Sequence, residues 1–131
     1  MSYSADWPFG VASALTDEAQ KTEQLDKLSN EIEKLIARVA DDVREQRGAG
    51  EERRASGFVI YLLRNPDNTP IQTLLLKKAG IATNDIVQTR GFTALKNHCE
   101  RLSLQARVED AVRPSREYVN PCLGIIVDGW P

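Results

Sequence analysis

Cysteine is scarce in this chain. Cys99 and Cys122 are the only two among 131 residues and are not in CxxC spacing, which argues against both a zinc site and a disulfide scaffold. Both read as buried free thiols in a reducing compartment. Histidine is scarcer still, with His98 alone. No glycine-rich phosphate loop, no metal-ligand spacing and no set of nucleophile, base and orienting group is legible. The chain is therefore expected to hold no metal and no cofactor. There is no apolar run of about eighteen residues to span a bilayer. Nor does the start, MSYSADWPFG, carry the basic end and apolar core of a signal peptide. The expectation is a cytoplasmic protein with no membrane partner.

What is present is ordinary for a folded protein: 41% hydrophobic and 27% charged residues. At this length one core is expected, not two. Charge is lopsided: residues 1–50 hold six Lys or Arg against ten Asp or Glu, a net of minus four, and the remainder holds eleven against nine, a net of plus two. The pI near 5.5 argues against wrapping by nucleic acid and leaves room only for a local basic patch in the second half.

The strongest pattern runs over 16–47. Leu25, Leu28, Ile32, Leu35, Val39 and Val43, with Ile36 beside them, recur at three and four and fall on one stripe of a long amphipathic helix. Thr16 is the expected N-cap, Asp17 and Glu18 suit the positive pole, Arg44 and Arg47 suit the negative one, and Gly48 is the expected stop. A helix of about thirty residues is about 45 Å long, whereas a compact domain of this size is about 36 Å across. One end should overhang. Leu25 to Val39 also fit alternating a and d positions of a coiled coil until Asp42 breaks the series. Two readings follow: the stripe packs on the protein's own sheet, or it also pairs with another copy.

Before the helix, residues 1–15 form an arm with Tyr3, Trp7, Pro8 and Phe9 close together. Large aromatics without periodicity dock into a groove, on the same domain or on a neighbour. After it, 48–56 is a polar linker carrying Glu51, Glu52, Arg53 and Arg54.

The rest of a single 16–131 domain reads as sheet and a second helix. Residues 58–64 (FVIYLLR) are apolar on both faces, the mark of an interior strand. The turn signal NPDNTP follows, and 71–77 (IQTLLLK) reads as the returning limb of a hairpin, with Lys77 and Lys78 keeping its edge soluble. Thr83 or Asn84 can cap a short helical turn; Phe92, Leu95, Cys99 and Leu102 then recur at helical spacing. Leu104, Ala106 and Val108 alternate with polar residues as a half-wet strand, 110–121 is a loop, and 122–128 (CLGIIVD) is a strand apolar on both faces. The fold class is α+β: a long N-terminal amphipathic helix, then a four-stranded, mainly antiparallel sheet with a second helix, in the order α-β-β-α-β-β.

The expected function follows from the surplus of apolar surface rather than from chemistry. It is a non-catalytic, self-associating interaction module, an assembly, adaptor or regulatory component, joined through Trp7, Phe9, Leu25, Leu28, Ile32, Leu35 and Val39. Its partner is a second copy, with a further protein as another candidate. The alternative is a small nucleic-acid-binding regulator using Arg53, Arg54, Lys77, Lys78, Arg90, Lys96 and Arg101. A remote one is an enzyme with an unfamiliar site around His98 or Asp128. His98 and Cys99 are neighbours on a helix, about 100° apart, and cannot form a Cys/His pair there.

Overall fold

A computed structural model describes residues 17–49, 57–117 and 119–130. The long pattern becomes α1 (Asp17–Ala49), 33 residues and about 50 Å long. Gly48 does not stop it but lies within it, at a cost of about 1 kcal/mol that one position in a long helix can absorb. There follow β1 (Phe58–Leu62), α2 (Thr73–Lys78), α3 (Thr83–Val87), α4 (Arg90–Arg101), β2 (Gln105–Val112) and β3 (Cys122–Asp128). The class is α+β, with one antiparallel sheet of three strands in the order β1-β3-β2.

Two expectations are corrected. The stretch 71–77 is not a fourth strand. The turn is there: Asn65 N–H donates to the Thr69 carbonyl at 2.8 Å, and the Asp67 carboxylate accepts the Thr69 N–H at 3.1 Å. The returning limb, however, lasts only from residue 70 to 72, with bridges from Pro70 to Arg64 and from Gln72 to Cys122. From Thr73 the chain is helical, because Thr73 and Leu76 are buried at a spacing of three while Leu74 and Lys77 face solvent. Leucine and lysine are good helix formers, and Lys77 and Lys78 fall in the last turn, where cations suit the dipole rather than guarding a strand. The second correction concerns β1, which among the described residues is an edge strand and not an interior one; β3 alone is central there.

The other elements lie close to their patterns. α4 starts one residue after Thr89, whose hydroxyl accepts the Phe92 N–H at 3.3 Å. α3 begins inside the expected region but is capped from Ala82 rather than by Thr83 or Asn84: the Asp85 carboxylate accepts the Ala82 N–H at 2.8 Å and pairs with Lys21 at 3.4 Å. Those two partners hold the Asp85 carboxyl below its usual pKa. β2 runs on to Val112, shortening the expected loop.

One core joins the layers. Leu28, Ile32, Leu35, Val39 and Val43 of α1 are buried in it with Phe92, Leu95 and Cys99 of α4 and with Tyr61, Leu63, Leu123, Ile125 and Val127 from the sheet side. Tyr61 ties α1 to β1, donating its hydroxyl to Asp42 at 2.6 Å with Arg38 over its ring. α1 crosses α4 at Ser29 and Gly91, where the Gly91 N–H donates to Ser29 Oγ at 2.7 Å. The parts of α1 beyond this core are polar: Glu18, Thr22, Glu23, Arg44 and Glu45 are exposed. Among the described side chains, the exposed ones there are mainly charged or polar.

Candidate interaction surface

The strands sort their side chains by register. Val59, Tyr61, Ile125, Val127, Ala106 and Val108 share the face that meets the helices. The opposite face presents Phe58, Ile60 and Leu62 from β1, Gly124, Ile126 and Asp128 from β3, and Gln105, Arg107 and Glu109 from β2. None of these belongs to the core that the helices fill. Gly124 sits at the middle of this face, where an added Cβ would stand 3.2 Å from Val112 Cγ2 and 3.5 Å from Ile60 Cγ2. The missing side chain lets its neighbours close over the strand. Ile60 remains 42% exposed, the one large apolar side chain of the sheet to be so among the described residues.

The main chain of β1 is also asymmetric. Leu63 N–H donates to the Leu123 carbonyl at 3.1 Å, and Gly129 N–H donates to the Gly57 carbonyl at 3.2 Å, so the odd-numbered residues direct their peptide groups at β3. The N–H and C=O of Ile60 and Leu62 therefore point away from the sheet. Among the described residues no strand lies on that side. The other margin is different: β2 carries Arg107, Glu109 and Asp110, has a register irregularity between Glu109 and Val112, and is followed by Arg113 and Pro114. Charge, a bulge and proline are the devices that keep an edge from pairing, and β1 has none of them.

The residues expected at an interface are distributed otherwise. Leu28, Ile32, Leu35 and Val39 are buried in the chain's own core and Leu25 packs partly against it, so no partner reaches the stripe without opening the fold. Trp7 and Phe9 lie outside the described residues, as do Arg53 and Arg54. The remaining basic candidates do not converge. Lys77 and Lys78 are on α2; Arg90 and Arg101 are eleven positions apart on α4, and Lys96 is about 120° round the helix from them and 4.0 Å from Glu100.

Nor do His98 and Asp128 meet. His98 is on α4 with its Nε2 buried and without a hydrogen-bond partner, while the Asp128 carboxylate on β3 is engaged by Arg107. Asp128 is thus an ion-pair partner across strands. A recess of about 340 Å³ between α2, α3 and β2 is lined by Leu76, Ile81, Ile86 and Leu123 with Lys77 and Asp110, whose carboxylate already accepts from Thr83 at 3.2 Å. It assembles no nucleophile with a base. Among the described residues no group of His, Cys, Asp and Glu could hold a metal ion, and no helix is long and apolar enough to cross a membrane.

Both thiols are free and buried. Burial, helped by the nearby Glu100 carboxylate, pushes the Cys99 thiol up to about 11; burial likewise raises Cys122, against a smaller opposing pull from Arg64. At about pH 8 the native protein is expected to give no rapid reaction with a disulfide-exchange reagent, and both thiols should react once it unfolds. A fast native-state reaction would show that one of them is reachable.

Sequence reasoning did not single out Ile60 and Leu62, because it placed their strand inside the sheet. The signal present was of another kind: a strand apolar on both faces asks for cover over both faces of its sheet. No family model, curated protein or solved structure matches the chain.

Proposed function

We propose that this chain is a non-catalytic protein-interaction module that binds a second copy of itself and serves as an assembly, adaptor or regulatory component. The observation that carries this reading is Ile60, a large apolar side chain standing open on an edge strand that has no charge, proline or bulge to protect it. The contact surface moves from the helix stripe, which the core occupies, to the sheet. Trp7 and Phe9 stay in the reading as further contact residues on sequence grounds, since clustered aromatics are rich in binding energy. Two free, buried thiols support a reducing compartment, and we place the protein in the cytoplasm.

Light scattering tests this directly. At high concentration the wild type should approach twice the 14.6 kDa of one chain, and Ile60→Asp should return it to one chain while the helical spectrum is kept. A wild type of single-chain mass from about 10 µM to about 1 mM would end the proposal.

A further inference from the structure

We infer that the second copy is held by β1 against β1, antiparallel about a twofold axis, so that two three-stranded sheets become one of six. This rests on the self-association proposed above and specifies its geometry. In that pairing Ile60 of one copy lies beside Leu62 of the other and the reverse, with Tyr61 nearest the axis. The outward N–H and C=O of these two residues then form four hydrogen bonds, two from each Ile60 and Leu62 pair.

Three features favour a second copy over an unrelated strand. The outward groups are even-numbered on both chains, so the twofold relation matches donor to acceptor without any slip in register. The strand FVIYL holds no ionised side chain, so copying it against itself brings no like charges together. Finally, pairing at β1 leaves the two β2 strands as the outer margins of the joined sheet, and those are the margins that already carry charge and a bulge. A closed isologous contact answers the need of β1 for a second neighbour in both copies at once.

The test is amide exchange by NMR on the intact wild-type chain at low and high concentration. The Ile60 and Leu62 amides are expected to slow by about tenfold or more at the concentration where the mass doubles, while Val59 and Tyr61, already bonded to β3, change far less. A doubled mass with unchanged exchange at Ile60 and Leu62 would overturn edge pairing while sparing self-association; a single-chain mass throughout would sink both. Ile60→Pro gives a second measure. Proline there removes an N–H that points away from β3, so the inner ladder keeps its bonds while the outer edge is blocked. A folded Ile60→Pro that still dimerises with wild-type affinity would overturn the inference, and a folded, monomeric one would support it. Should that variant misfold, the wild-type exchange data decide alone.

Discussion

Gly91→Ala is expected to lower the stability of the protein by about 3 kcal/mol or more, a large change for a single methyl group. An ideal Cβ at this position would stand 1.9 Å from the Ser29 carbonyl oxygen and 2.6 Å from its carbonyl carbon. Both obstacles are main chain of α1, so no rotamer change relieves them, and the two helices must move apart. Moving them opens the seam where Leu28 and Ile32 pack near Phe92 and Leu95. Ser29→Ala probes the same crossing from the other side. It removes the acceptor of the Gly91 N–H in the first turn of α4, a buried donor, and should cost about 1 to 3 kcal/mol. Denaturant midpoints measure both. A Gly91→Ala protein with the wild-type midpoint would mean that α1 and α4 do not approach this closely.

The double variant Leu28→Asp, Leu35→Asp is expected to unfold the protein rather than to separate two copies of it. Both leucines are buried within the chain's own core, and a carboxylate placed there is either ionised without a partner or forced to take up a proton. Either way each substitution costs several kcal/mol, and two of them reach the 5 to 15 kcal/mol that holds a typical domain together. Far-ultraviolet circular dichroism should show the helical signal lost at room temperature. A variant that stays folded and merely halves its mass would show that the stripe, and not the sheet edge, is the contact. The contrast with Ile60→Asp, exposed and expected to stay folded, separates core from contact by the same chemical change.

How legible this fold was depended on how far each element's pattern could be confused with another. The three-and-four spacing from Leu25 to Val43 has no rival interpretation over so many turns, and α1 lies where it predicts, as α4 does from Phe92 to Cys99. β3 was legible because CLGIIV is apolar on both faces, as a strand covered on both sides requires, and six successive residues of it are buried. The stretch IQTLLLK was not, since seven residues with three leucines in a row fit either period. The one threonine there, Thr73, is the first residue of α2 and not its cap; the N-cap is Gln72, with no side-chain bond. What decided it was tertiary: residues 70 to 72 are drawn into the fork between Leu63 and Leu123, where Ile71 donates to the one carbonyl at 3.0 Å and accepts from the other amide at 2.9 Å.

The candidate surface was legible only in part. Sequence placed FVIYLLR inside the sheet, whereas among the described residues it has one strand neighbour, because strand order is set by the packing of β3 between β1 and β2 and leaves no local trace. The cover over the helix stripe was illegible for a related reason. The stripe's apolar area was counted correctly, but the depth of cover from α4 and three short strands could not be, and it proved enough to enclose Leu28, Ile32, Leu35, Val39 and Val43. Gly91 looked like an interruption of helical spacing; its role as the point where two helices touch depends on Ser29, sixty-two residues away.

The unlike borders of the sheet limit how far aggregation can travel. A fibril grows by strand addition only when every newcomer offers a fresh docking strip after it lands. In the pairing proposed above, each copy spends its one unprotected border on arrival and is left with the charged, bulged one, so growth would halt at the pair.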